Sequence, residues 1–421
     1  MKKGKRIGLA LSGGGYRAAA YHIGALRALY NMGLLSNVDC ISSVSGGSIT
    51  AAYYALNGQN FQRFEETYRK RLKIGVLHLA ILNVLVVLAL MAIAVYYLKY
   101  WGIVLSLFAL VLCWYKLFPV SCLIATQYDW LFFGFKKLKD LPKMPLVTIN
   151  ATDFPTVSLL TFSREKIYNY YYGEGAFYHE SFPISMAVMA SSCVPFAFNP
   201  IRIPNRFKTG RMKGKESPLL LDGGLYDNQG THVLTDKMSP YNCDCIIVSD
   251  AGNGKVSGKR VLNPFITLKR TSEVFMQRIK KIQMQQNVYL RTYSDKRFAY
   301  ANLEWDVNDR LLQGFVDNLK YDNIYKEVID VHGISEKEIA ALKNSATTKD
   351  TRADIVKKLK KSIKWDELEK IRPSEEEHAK AFATGTWLFG MSAKRISMLS
   401  KEAEWKVMVQ VRLYLPFLLN E

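Results

Sequence analysis

Cysteine is sparse in this chain of 421 residues, with only six copies. Cys40, Cys113, Cys122, Cys193, Cys243 and Cys245 show neither the even spacing of a disulfide framework nor the paired spacing of a zinc site. That excludes a small stapled scaffold and suits a reducing compartment. Acid is short as well, 37 Asp and Glu against 57 Lys and Arg, for a net charge of +20. The basic excess forms no long block, and the chain has no heptads, internal repeat, low-complexity linker or nucleic-acid-binding motif, so nucleic acid is not an expected partner. A G-x-x-x-x-G-K-[ST] phosphate loop is missing, as is an oxygen-ligand loop for calcium, and neither metal nor cofactor is expected. No signal peptide is expected either, because Met1-Lys2-Lys3-Gly4-Lys5-Arg6 passes straight into an apolar strand.

What the chain does have is glycine at sharp turns between strands and helices. Val38-Asp39-Cys40-Ile41 reads as a strand, and it runs through Ser42-Ser43-Val44-Ser45-Gly46-Gly47-Ser48 into a helical stretch closed by Asn57-Gly58. Strand, sharp turn and helix are the context of a nucleophile elbow, which lifts one hydroxyl out of a sheet and sets it at a helix N-terminus. Ser45 is at the apex, because it has a glycine two places on, Gly47, where strand and helix would otherwise collide; Ser42, Ser43 and Ser48 fail that test. Earlier, Ile7-Gly8-Leu9-Ala10-Leu11 reads as a buried strand leading to Gly13-Gly14-Gly15-Tyr16-Arg17 and a helix over residues 18–31. Three glycines leave backbone N–H groups bare at a helix N-terminus, the place for a developing oxyanion. Far downstream, Pro218-Leu219-Leu220-Leu221 leads to Asp222-Gly223-Gly224, and an aspartate at a strand end suits a base that takes a serine proton directly.

Together these elements resemble the patatin-like phospholipases, whose pattern is G-G-G-x-R, then G-x-S-x-G, then D-G-[GA]. Here they are Gly13-Gly14-Gly15-Tyr16-Arg17, Ser43-Val44-Ser45-Gly46-Gly47 and Asp222-Gly223-Gly224, with serine at the first elbow glycine. Residues 150–153 (Asn-Ala-Thr-Asp) and 190–195 (Ala-Ser-Ser-Cys-Val-Pro), with Phe198-Asn199-Pro200, also look like the family, and the likeness spans roughly residues 5–255. The resemblance implies a three-layer α/β fold around a mainly parallel sheet and a serine–aspartate dyad of Ser45 (nucleophile) and Asp222 (base). It also implies an oxyanion hole of Gly13, Gly14 and Gly15, support from Gly47, Gly223 and Gly224, and an Arg17 that holds the glycine loop or a phosphate.

Two rivals compete with this reading. Gly13-Gly14-Gly15-Tyr16-Arg17-Ala18 also fits the dinucleotide fingerprint G-x-G-x-x-A, with Asp39 at a ribose-binding distance in sequence, but Asp39 stands at the start of its strand where that role needs the end. Most serine hydrolases use a histidine base. Of His22, His78, His179, His232, His332 and His378, spacing leaves His179 and His232 open, and the dyad is preferred over both.

Residues 76–95 are apolar except for His78 and Asn83, enough at about 1.5 Å per residue to cross roughly 30 Å of hydrocarbon. A second run, residues 101–118, is interrupted only by Ser106 and Lys116 and stopped by Pro119. Joined through Lys99 and Tyr100, the two predict a transmembrane hairpin that returns the chain to one side, as a site split between Ser45 and Asp222 requires. Arg69, Lys70, Arg71 and Lys73 before it and Lys136, Lys137 and Lys139 after it put the base and the catalytic domain on the cytoplasmic side, with Tyr96, Tyr97, Tyr100 and Trp101 at the far interface. The alternative is a pair of buried core helices.

The expected organisation is a catalytic domain over residues 1–255, interrupted by a hairpin over 74–120, then a mainly helical part over 256–421. In that part residues 265–293 predict a long basic helix, and Ser335-Glu336-Lys337-Glu338 and Ser374-Glu375-Glu376-Glu377 predict capping boxes. Residues 347–370 read as a solvated helical surface. The expected activity is hydrolysis of fatty-acyl esters of membrane phospholipid by an enzyme drawn to anionic lipid. A lysophospholipase, thioesterase or transacylase would use the same dyad, and a catalytically silent scaffold or a nucleotide-binding module are the readings of another class.

Overall fold

The computed structural model describes residues 5–195, 197–252, 263–289, 295–344 and 348–419. Its strands are β1 (Ile7–Leu11), β2 (Val38–Val44), β3 (Leu146–Asp153), β4 (Ser158–Ser163), β5 (Ile167–Asn169), β6 (Ile201–Arg202), β7 (Leu219–Asp222), β8 (Cys245–Asp250) and β9 (Arg297–Asn302). They form one sheet in the order β5-β4-β3-β2-β1-β8-β9, with β7 bonded to both β3 and β6. The pairs β1–β2, β1–β8, β2–β3 and β8–β9 are parallel, whereas β3–β4, β4–β5, β3–β7 and β6–β7 are antiparallel. The sheet is therefore mixed, which corrects the expectation of a mainly parallel one. Residues 154–157 are all that joins β3 to β4, and so short a link permits only a hairpin.

Side-chain alternation gives the strands two covered faces. Leu9, Leu11, Ile247, Ala299 and Ala301 enter one core with α1 (Gly15–Asn31) and α2 (Gly46–Asn57), while Ala10, Ile246, Val248, Phe298 and Tyr300 enter another with Val233, Leu234 and Tyr241. The long C-terminal helix Ala393–Tyr414 joins the first core through Leu399, Ala403, Val407 and Val411. Its approach to α1 is close: a Cβ on Gly24 would lie 1.7 Å from the Ser400 carbonyl. Another face, Trp405, Val409 and Leu413, packs into a separate core of the C-terminal helices with Leu312, Phe315 and Leu359. Both predicted capping boxes form, at Ser335 with Glu338 and at Ser374 with Glu377. The basic helix runs Pro264–Met284; the last residues predicted for it, from 290 on, lie outside the described ones, as does Thr347.

After α3 (Phe61–Leu72) the two apolar runs fold back on one another as α4 (His78–Leu98) and α5 (Tyr100–Leu112). Lys99 turns the corner at φ 45°, and Gly102 lets the helices close, since a Cβ there would lie 2.3 Å from the Ala94 carbonyl. The buried-core alternative fails for α4, in which only Ala80 and Val87 are buried while Leu82, Leu85, Leu88 and Leu90 are exposed. At 21 residues, α4 is the one described helix long and apolar enough to cross a membrane. The second run differs from expectation: α5 stops after 13 residues, and the chain bends by 92° at Cys113.

Candidate active site

Strand β3 outruns β2, and that surplus builds the site. Its first part runs parallel to β2, placing Val44 opposite Asn150, and its last part takes β7 antiparallel, placing Asp222 opposite Ala151. β2 and β7 thus meet end to end along β3, with Ser45 and Asp222 at the junction. Ser45 turns the chain from β2 into α2 at φ 51° and ψ −122°, a conformation that costs on the order of 1–3 kcal/mol in a residue with a side chain. The Asp222 carboxylate accepts from the Gly224 N–H (2.7 Å), and the Ser45 side chain lies near enough to favour its ionised form. Burial pushes the Asp222 pKa up to about 6, and the Gly224 N–H, with the nearby Ser45 side chain, holds it from rising further.

Three pins hold the junction. The Ser191 hydroxyl accepts from the Ser45 N–H (2.8 Å), donates to the Asn150 carbonyl (2.6 Å) and meets the Ser48 hydroxyl at 3.0 Å. Asn150 Nδ2 donates to Ser42 Oγ (2.9 Å) and to the Ser43 carbonyl (3.1 Å). On the other side, the Asp222 N–H donates to the Cys193 carbonyl, the Gly223 N–H to that of Ser191, and Thr152 Oγ1 to that of Asp222. The two lesser stretches around residues 150 and 190 are therefore the braces of the site. Ser43 has ordinary strand pairing and donates its hydroxyl to the Thr148 carbonyl, so this position does not call for glycine. Gly47 does: a Cβ there would lie 2.3 Å from the Leu11 carbonyl, and one on Gly223 2.2 Å from that of Asn150.

The glycine loop lies directly on the elbow, since a Cβ on Gly46 would sit 2.0 Å from the Gly15 carbonyl. Gly14 and Gly15 have φ values of 142° and 57°, open to glycine far more readily than to other residues. The Gly13 N–H is already committed, donating to the Asn228 carbonyl at 3.0 Å. Gly14 and Gly15 hold N–H groups with no protein acceptor among the described residues, at the N-terminus of α1. Asn228 escaped the sequence reading, and the polar run Asp227-Asn228-Gln229 just after Asp222-Gly223-Gly224 is the signal that marks it. Arg17 is buried and donates to the Thr384 carbonyl (3.1 Å), so its place is behind the loop, where burial lowers it to about 10 against the pull of Asp250.

A family model described as patatin-like phospholipase matches residues 9–235, more than half of the chain. The chain belongs to the patatin-like phospholipase family. No curated protein matches it. Among solved structures, human GIVD cytosolic phospholipase A2 matches with a TM-score of 0.47 at 12% identity over 99% of this chain and 62% of that one. The same protein in complex with methyl gamma-linolenyl fluorophosphonate gives 0.46, 12%, 99% and 58%, and VipD from Legionella pneumophila gives 0.30, 14%, 96% and 91%. The chain thus spans about three fifths of the length of the human phospholipase structures.

Neither rival finds its geometry in this patatin-like protein. Asp39 accepts from the Ile7 N–H at 2.7 Å, so it ties β2 to β1 at the start of both strands. None of the six histidines has a hydrogen bond to Ser45 or Asp222. His22 is fixed between Ser249 Oγ and the Ser12 carbonyl, and burial lowers it to about 4; the His232 ring packs on Tyr226. Among the described residues, no His, Cys, Asp and Glu side chains gather as a metal site. Replacing Gly14 by alanine strains its φ of 142° and displaces a free donor, and it is expected to lower kcat roughly a hundredfold with little change in KM, measured on a soluble ester.

Proposed function

We propose that the protein is a membrane-anchored serine acyl hydrolase that cleaves fatty-acyl esters of glycerophospholipids through a Ser45–Asp222 dyad. The observation that carries this reading is the end-to-end meeting of β2 and β7, which sets a strained serine beside a buried carboxylate. Asp222 takes the Ser45 proton as Oγ attacks the acyl carbonyl. The N–H groups of Gly14 and Gly15 stabilise the oxyanion, the lysolipid leaves with the proton, and Asp222 then activates the water that releases the fatty acid. Gly13 serves differently: its bare Cα lets Asn228 and Ser45 close on the loop, since a Cβ there would lie 2.4 Å from Asn228 Oδ1 and 3.2 Å from the Cβ of Ser45.

The anchor in this reading is the α4–α5 hairpin, with its base on the cytoplasmic side. α5 is about 10 Å short of a full span, a mismatch that local thinning of the bilayer absorbs, with exposed Trp114 and Tyr115 after it at the interface so formed. The test is a fluorophosphonate probe followed by peptide mapping, together with a phospholipid panel in mixed micelles whose products are identified by mass. Labelling at Ser45 and release of free fatty acid and lysolipid are expected; labelling at Ser43 or Ser48 would refute the assignment, and turnover of lysolipids or thioesters alone would move it to those substrate classes.

The pH profile should carry the same signature. A base must be ionised, so kcat/KM is expected to fall tenfold per pH unit below about pH 6, the value burial gives Asp222. A flat profile from pH 5 to 8 would remove Asp222 from that role.

A further inference from the structure

The oxyanion loop is backed by a strap from the far end of the chain. Thr386 and Trp387 present their carbonyls to it: a Cβ on Gly15 would lie 2.5 Å from Thr386 O, and the Tyr16 N–H donates to Trp387 O at 3.2 Å. Arg17 adds its bond to the Thr384 carbonyl. The same strap clasps the root of the hairpin. The Val76 N–H donates to the Leu388 carbonyl (3.1 Å) and the Met391 N–H to that of Leu72 (2.9 Å), while Gly390 approaches so closely that a Cβ would lie 2.1 Å from Lys73 O. Tyr16 completes the link through its hydroxyl, which donates to the Ile74 carbonyl at 3.0 Å.

The side chains of this strap divide between the interior and the surface. Leu388 and Met391 point inward and are buried, whereas Trp387 and Phe389 point outward, 69% and 52% exposed, with their rings 6.4 Å apart. Exposed Ile74 lies on the hairpin root beside them. Residues 384–395 contain no acid, and Lys73 at the hairpin root and Lys394 and Arg395 just after the strap in sequence are exposed. An exposed tryptophan and phenylalanine on an acid-free strap, at the point where an apolar helix leaves the protein, match the chemistry of a lipid headgroup layer.

We propose that the strap, residues 384–391, is a second membrane contact, in which Trp387 and Phe389 enter the headgroup layer beside the hairpin and hold the oxyanion loop in register with the bilayer. This rests on the membrane-anchor reading above. Continuity with the hairpin root favours lipid over a second copy of the chain as the occupant. One backbone-bonded unit then contains the anchor, the contact and the donors for the oxyanion, so the catalytic loop keeps a set distance from the lipid surface.

The test uses the full chain in phosphatidylcholine vesicles, with and without phosphatidylserine, and with Cys113 and Cys122 replaced by serine; the other cysteines are buried. An environment-sensitive fluorophore is placed on Phe389→Cys or, separately, on Leu90→Cys in α4, and quenching by brominated lipids is read. Quenching at both positions, stronger with phosphatidylserine at 389, is expected. Quenching at 90 alone overturns the strap proposal and leaves the anchor standing; quenching at neither overturns the anchor and the strap with it. In parallel, the ratio of vesicle turnover to monomeric-ester turnover should fall at least tenfold in Trp387→Ser/Phe389→Ser. An unchanged ratio overturns the proposal, and so does a dimer in solution that this variant dissociates.

Discussion

Ser45→Ala and Asp222→Asn are each expected to lower ester hydrolysis by on the order of 10⁴-fold or more, with the double variant losing no more than either alone. In the proposed dyad the two groups act on one proton, so removing either leaves nothing for the other to do. The variants should part company in stability. The folded state keeps the Asp222 proton up to about pH 6, whereas the unfolded chain gives it up near the ordinary carboxylate value of 3.8. Stability therefore falls as pH rises through that window, by ~3 kcal/mol in all for a shift of this size. An amide in place of the carboxylate carries no charge and still accepts from the Gly224 N–H, so Asp222→Asn should melt higher than the parent at pH 7.5 and lose that advantage near pH 4. Melting equal to the parent's at both pH values would mean that burial does not raise the Asp222 pKa. A His232→Ala variant as inactive as Asp222→Asn would replace the dyad with a triad.

The second large effect concerns the hairpin. A short polar loop in place of residues 78–117 is expected to release the protein from membranes while preserving turnover of a small monomeric ester. Val76 and Phe118 are kept because both pack into the protein. On vesicles the released protein should lose about 10²–10⁴-fold, the gain that tethering gives through local concentration. Failure to fold would make α4 and α5 structural parts of the domain. Thiol accessibility gives a separate reading: Lys99→Cys should react from the far side and Lys137→Cys only after permeabilisation. Protection of Lys99→Cys from both sides would mean a hairpin that enters one leaflet only.

Much of the site was legible because its demands are steric. A serine two residues before a glycine, at a strand-to-helix turn, is a local pattern, and the backbone contact that forbids a side chain at Gly47 is what made it readable. The commitment of the Gly13 N–H to Asn228 and the threefold role of Ser191 are contacts between segments far apart in the chain, and no spacing records them. Sheet direction was legible in one place and missed: the four residues between β3 and β4 allow only a hairpin, although hydrophobic alternation is the same in either sense. β9 was hidden for another reason, since Arg297-Phe298-Ala299-Tyr300-Ala301-Asn302 has no β-branched residue to set it apart from the helical sequence around it. The break in the second apolar run at Cys113 has no proline or glycine to announce it.

The contact between Gly24 and Ser400 bears on how the molecule can be divided. The family's motifs end well before residue 250, which invites expression of the N-terminal part alone. Such a fragment would leave β8 as an unpaired edge strand, where β9 now covers it, and would bare the alanine-rich face of α1 on which Ala393–Tyr414 rests. An open edge beside an uncovered apolar face is a template for self-association. A chain cut at residue 252 is expected to sediment as aggregates, and to recover a monodisperse form only when residues 263–421 are supplied with it. The motifs of the proposed site are early in the sequence, but the smallest unit expected to fold around them includes the helix Ala393–Tyr414.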